Sequence, residues 1–265
     1  MILLILEGAN TEPSIATTIR QLFFADNPDQ LVCSYRTDTY TLWKDIKSYM
    51  DDGNEPDVFE IVRERLHRSG DTSLDSYDSY QFDSIYLFFD YDPQNRTVSM
   101  ETLNASIAEM LKLFSDPMDK GQIFISYPMV ESLFCQNSVP EASYMNARVA
   151  IVDCGKFKSL ANRYECNQKR YKIIYKQDKD GNIREPVSMR QTELKKTWVT
   201  LVKMHAIKAN YISNNIAMLP TTVEEVSQLR IFNGQLNRFL PSGLVSLLSA
   251  FPMFLFEYFH GGEDF

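Results

Sequence analysis

The chain opens with an unbroken apolar run, Ile2 to Leu6, the pattern of a strand buried on both faces. Glu7-Gly8 ends the run, and Thr11, Glu12 and Pro13 begin a helix. Proline suits a first-turn position, and the acid complements the helix dipole. Ile15, Ile19, Leu22 and Phe23 follow at helical spacing. Residues 31–36 predict a second strand, and 41–50 and 57–67 predict two helices. The segment 69–80, rich in Ser, Asp and Tyr, predicts a surface loop. Residues 84–89, "SIYLFF", again read as a buried strand, and run into Asp90-Tyr91-Asp92-Pro93-Gln94. A helix over 100–114 and a strand over 122–126 follow. Strands alternating with helices imply an α/β fold with a parallel sheet flanked by helices.

The pattern changes near residue 150. Residues 179–182, "KDGN", predict a turn between two short strands, "YKIIY" and "IREPV". A long helix is expected over 188–212 and another over 222–236. The stretch 243–259 is very apolar, but it is shorter than the ~20 residues of a membrane span and contains Pro252. It predicts a core helix, or a helix plus an extended piece, and no membrane contact. The expected organisation is an α/β unit over 1–150 and a basic, mainly helical region over 151–265 packed on it.

Composition adds three constraints. With 265 residues, 44% hydrophobic and 23% charged, the chain can bury a large core and is not expected to be disordered. Met1 leads straight into a short apolar strand with no basic n-region, so the expectation is a cytoplasmic protein. Cys33, Cys135, Cys154 and Cys166 form neither C-x-x-C nor a zinc spacing, and are expected to be free thiols.

Charge is unevenly spread. The net charge is −8, yet Lys156 to Lys208 holds fourteen Lys/Arg against five Asp/Glu. The bland explanation of such a run is a solvated helical surface. Here Phe157, Tyr164, Tyr171, Tyr175 and Trp198 are interleaved, a mixture suited to phosphates and bases. The candidate nucleic-acid contacts are Lys156, Lys158, Lys169, Arg170, Lys172, Lys176, Lys195, Lys196, Lys203 and Lys208.

The acids form the second candidate constellation. Open α/β sheets bind ligands at the carboxyl ends of their strands. Glu7 ends the first strand, Asp90 and Asp92 end the "IYLFF" strand, Glu131 lies just past the "QIFIS" strand, and Glu12 lies one helical turn from Glu7. If these strands are neighbours, the carboxylates converge. Two like charges ~4 Å apart repel by about 1–4 kcal/mol at dielectrics between water and a protein surface. A hard divalent cation removes that cost, and Mg2+ or Mn2+ with oxygen ligands suits phosphodiester chemistry. Each piece has a structural alternative: Asp-x-Asp can cap a turn, and Glu12 and Glu131 can serve helix starts. Gly8 permits close backbone approach.

The segments "LILEGANTEP", "YLFFDYDPQ" and "ISYPMVESLF" together resemble the TOPRIM domain of OLD-type and RloB-like bacterial proteins. Glu7, Gly8, Thr11, Glu12 and Pro13 match the Glu-Gly-x-x-Thr-Glu-Pro of the RloB-like branch. Tyr127 stands where that branch usually has Asn before the Pro128 to Glu131 motif. The resemblance covers roughly residues 1–136. It implies a Rossmann-like TOPRIM core and a Mg2+-dependent nuclease of phage defence or a mobile element. Glu7 would be the general acid/base or a first ligand, Asp90 and Asp92 metal ligands, and Glu12 and Glu131 the rest of a second ion site. It also implies a distal lysine, for which Lys172, Lys176, Lys195 and Lys196 are candidates. These 265 residues contain no P-loop, so the expectation is that any NTP dependence would need a separate ATPase or sensor subunit. The apolar carboxyl end would allow a homodimer.

Two other classes compete. A haloacid-dehalogenase-type phosphohydrolase would use Asp90 as nucleophile and Asp92 as acid/base, but Gln94 stands where that family has Thr, and Glu7-Gly8 is left unexplained. A non-catalytic module would keep the acids for binding alone. His67, His205 and His260 are scattered, and no Ser-His-Asp context, P-loop or G-x-G-x-x-G is present.

Overall fold

The computed structural model describes residues 1–25, 30–34, 39–53, 55–94, 98–164, 171 and 188–261. β1 (Ile2–Leu6) is buried at every position, as its uninterrupted apolar run requires. It is followed by α1 (Thr11–Phe23), β2 (Gln30–Ser34), α2 (Thr39–Asp51) and α3 (Val58–Arg68). Next come β3 (Ser84–Asp90), α4 (Met100–Leu113), the two-residue β4 (Ser115–Asp116) and β5 (Gly121–Ser126). Local caps set two of these starts: Asp57 Oδ1 accepts from Glu60 N at the head of α3, and Ser99 Oγ accepts from Thr102 N at the head of α4.

Among the described residues these strands form one sheet in the order β2-β1-β3-β5-β4. β2, β1, β3 and β5 are parallel, and β4 is antiparallel at the edge. The chain therefore leaves β1 toward β2 and returns to its other side as β3. That reversal makes a topological switch point at the carboxyl ends of β1 and β3, where open α/β sheets place ligands.

The rest of the chain builds onto this sheet. β6 (Arg148–Ala150) pairs antiparallel with β7 (Leu244–Ser246), so the expected boundary at residue 150 falls on a strand whose partner lies in the carboxyl-terminal region. α5 (Phe157–Ala161), α6 (Ser188–Asn214), α7 (Gln228–Gly234) and α8 (Ala250–Tyr258) are its helices. α8 lays its aromatics on the sheet: Phe251 stacks on Phe88 at 4.6 Å, and Phe254 meets Tyr86 edge-on at 4.9 Å. The apolar carboxyl end, expected to be available for a dimer, is thus used within the chain, with Phe251, Phe254 and Phe256 buried. No helix among the described residues is long and apolar enough to cross a membrane.

Two expectations need correction. The helix over 222–236 is broken: a 3-10 turn at Val223–Val226 precedes α7, which continues as a π turn at Gln235–Phe239. Ser227 is extended at the break, and Gln228 turns inward to accept Ile125 N, a hydrogen bond at the sheet edge beyond the short β4. The segment 69–80 is not wholly surface: Leu74 is buried, and Arg63 donates to Tyr77 O. The expected strands "YKIIY" and "IREPV" lie outside the described residues, except for Tyr171.

Candidate carboxylate site

The switch point is closed by a direct contact between the two strand-end acids. Asp90 N donates to Glu7 Oε2 at 2.8 Å, while Glu7 N donates to Phe88 O at 3.2 Å. Asp90 in turn reaches the next strand's loop, where its Oδ1 accepts from Val130 N at 2.8 Å. That bond fixes the 3-10 turn Val130–Phe134, which carries Glu131. Ser132 Oγ donates to Tyr127 O at 2.5 Å, and Tyr127 exchanges both backbone hydrogen bonds with Leu248. The carboxyl-terminal segment therefore holds the Glu131 loop from behind.

Glu12 enters from the first turn of α1 and is almost wholly buried. Gly8 makes room for it: a Cβ on Gly8 would stand 1.8 Å from Glu12 Oε2. Burial raises the Glu12 carboxyl to about 7, and the Glu131 charge adds to the rise. Hydrogen bonds from the Gly8 and Glu12 N–H groups, and the Lys158 charge, oppose it. Asp90 is held well above the ordinary carboxylate range, first by burial and then by the charges of Glu7, Glu12 and Glu131. Four predicted site acids, Glu7, Glu12, Asp90 and Glu131, therefore belong to one electrostatic cluster.

Asp92 stands apart on the solvent side. It is exposed, and its Oδ1 accepts from Gln94 N in a tight turn. Gln94, which in the sequence only marks a departure from the haloacid-dehalogenase pattern, is a structural clamp. Its Nε2 donates to Ile151 O at 2.8 Å, and its Oε1 accepts from Gly155 N at 2.9 Å. A Cβ on Gly155 would lie 2.4 Å from that Oε1, so the clamp needs glycine there. The clamp binds the Asp-x-Asp turn to the 3-10 segment Ile151–Lys156 and thereby sets the start of α5. From α5 the exposed Lys158 reaches in, its Nζ 3.3 Å from Glu131 Oε1.

The basic segment divides differently from expectation. Lys156, Lys158, Lys195, Lys196 and Lys203 are exposed. Lys169, Arg170, Lys172 and Lys176 lie outside the described residues. Lys208 is not a surface contact: it is fully buried, donates to Tyr144 O and Ala147 O at 2.7 and 2.8 Å, and sits over the Tyr144 ring. Burial holds its ammonium well below the ordinary lysine range. The interleaved aromatics Phe157, Tyr171 and Trp198 are buried as well, so they are core residues and not a stacking surface for bases. On α6 helical periodicity puts Trp198, Leu201 and Val202 on the buried side. Lys195 lies over Phe23, at the end of α1 remote from Glu12, about 16 Å along the helix at 1.5 Å per residue. His205 is likewise a core residue, bonded to Tyr144 Oη and Leu201 O.

The donor chemistry suits a hard cation. The cluster offers only oxygen, and Glu131 Oε1 is buried without a hydrogen bond. The spacing does not make a closed cage: among the described residues no three Asp, Glu, His or Cys groups stand close enough to hold an ion by themselves. Mg2+ commonly takes one or two carboxylates and completes its shell with water and phosphate oxygens, so an open cluster of this kind fits it.

No family model matches the chain, and no curated protein or solved structure matches it.

Proposed function

We propose that this chain is a Mg2+- or Mn2+-dependent nuclease built on a TOPRIM-type core, acting on RNA or DNA in phage defence or a mobile element. The observation that carries this reading is the Asp90 N to Glu7 Oε2 contact at the switch point, with buried Glu12 and Glu131 beside it. Burying several carboxylates without a compensating cation leaves them repelling one another, and two of them are raised for that reason among others. Proton uptake relieves part of that cost in the ion-free chain, and a bound cation would relieve it with the carboxylates ionised.

One or two carboxylates of the set Glu7, Glu12, Asp90 and Glu131 would hold the ion directly, with water and phosphate oxygens completing its shell, and Asp92 stands on the solvent side of the same edge. When bound, Mg2+ supplies a Lewis acid for the phosphate and lowers the pKa of a water ligand. Asp90 positions the Glu131 turn through Val130 N and orients Glu7 through its own N–H. In the ion-free chain the Glu12 carboxyl exchanges its proton near neutrality. Lys156 and Lys158 are the basic side chains on the segment clamped to this edge, so they are the first candidates for backbone phosphate. Lys195, Lys196 and Lys203 on α6 would extend that contact only along a longer strand.

The test is metal-stimulated cleavage of mixed RNA and DNA substrates by wild type, Glu7→Gln and Asp90→Asn. Each variant should fold and lose activity by more than about a hundredfold, beyond the loss typical of merely supporting residues. Cleavage equal to wild type in both variants overturns the reading. Binding of nucleic acid without cleavage by wild type selects the non-catalytic module instead.

A further inference from the structure

Lys158 and Glu131 form an asymmetric pair. The Lys158 side chain is 68% exposed, while that of Glu131 is only 2% exposed. The ammonium thus comes to the carboxylate from the solvent side. The helix beneath Lys158 is fixed: Phe157 and Ala161 of α5 are buried, and the Gln94 clamp holds the preceding turn. Lys158 is therefore a tethered cation, with a fixed backbone and a flexible four-carbon stem.

We propose that Lys158 is a built-in counter-ion of the carboxylate site, which occupies Glu131 in the ion-free chain and withdraws when a divalent cation binds there. The proposal rests on the cation-binding reading above and concerns how that site is regulated. Three features support it. The Glu131 carboxylate is too buried to be compensated by water, and its Oε1 lacks a hydrogen bond, so the nearby ammonium is its charge partner. One ammonium faces an edge that gathers Glu7, Glu12, Asp90 and Glu131, and its contact is with Glu131, so a single positive charge does not match the acids grouped there. Lastly, the exposed ammonium loses little by returning to water, so the pair opens once a cation takes over the buried carboxylate. A divalent ion gains more from several carboxylates than a single ammonium does, so exchange runs toward the metal. Lys158 then stands at the mouth of the site with its charge free.

The experiment measures Mn2+ affinity of the full chain by calorimetry and by Mn2+ electron paramagnetic resonance, without substrate. Wild type, Lys158→Met, Lys158→Gln and Lys158→Arg are compared. Lys112→Met serves as a charge-loss control, because α4 ends beside the amino ends of the strands, away from this site. Removing the competing charge should tighten Mn2+ binding about five- to tenfold in Lys158→Met and Lys158→Gln. Lys158→Arg should stay near wild type, and so should Lys112→Met. If wild type binds Mn2+ and Lys158→Met binds it equally or more weakly, the counter-ion role is overturned while the cation site stands. If neither binds Mn2+, both the role and the site are overturned. Thermal melts verify that each variant is folded, as expected for an exposed side chain.

Discussion

At the scale of single residues, the site depends on how closely carboxylates are packed. Glu12 shows this best, because its position is set by the missing side chain of Gly8. Its carboxyl is raised above the unfolded value, so the folded chain holds a proton that the unfolded chain releases. The sign follows: this contribution to stability is fully present below about pH 4.5 and is lost as the pH rises through about 7. Glu12→Gln keeps the hydrogen-bond acceptor and removes the titration. Its stability relative to wild type should therefore rise between pH 5 and pH 8, by roughly 1–3 kcal/mol. Urea unfolding across that range checks it; a constant difference would show that Glu12 is not raised. Gly8 and Glu12 were both noticeable in the sequence. Gln94 and Lys158 were not noticeable in these roles, since each acts on a residue far along the chain.

At the scale of elements, the helical region shows where periodicity alone misleads. The sequence from 222 to 236 has helix-forming character, but the chain breaks at Ser227 so that Gln228 can cap the β5 edge. Farther on, α7 crosses α6 so closely that a Cβ on Gly234 would stand 2.2 Å from Ile212 O. Glycine inside a helix ordinarily costs about 0.5–1 kcal/mol relative to alanine. Gly234→Ala should nevertheless destabilise the protein, by about 1–3 kcal/mol, because backbone on both sides prevents relief. Thermal unfolding reads the sign directly, and a stabilised variant would mean the crossing is looser than described. The same periodicity was informative for α2, α3 and α4, where one apolar face meets the core and nothing else competes.

At the scale of the whole molecule, the acidic edge and its cover come from distant parts of one chain. β1, β3 and β5 supply the strand ends, and the segment from residue 148 onward locks the loops that carry Glu131 and Lys158. Cation binding should therefore stabilise the entire fold. A ligand at a hundred times its Kd adds about 2.7 kcal/mol. Because Glu12 and Asp90 must lose protons to ligate, Mg2+ should raise the melting temperature more at pH 8 than at pH 5. Scanning calorimetry with and without Mg2+ at both values tests this. An equal shift at both would place the ion elsewhere.

Local patterning was sufficient for the four parallel strands β1, β2, β3 and β5, for most helices and for the carboxyl-end location of Glu7, Asp90 and Glu131, but not for the short strands β4, β6 and β7. Apolar runs and strand-end acids carry that information within a few residues, because a strand buried on both faces must be apolar throughout and a charge is tolerated only where the strand ends. Tertiary structure alone decided the strand order that puts β1 beside β3, and with it the meeting of Glu7 and Asp90. It also decided which lysines face water. Lys158 and Lys208 are both lysines in the same basic segment, yet one pairs with a site carboxylate from solvent and the other is sealed against backbone carbonyls. The physical reason is that a side chain's dielectric surroundings come from whatever packs over it, and those groups lie dozens of residues away in the chain.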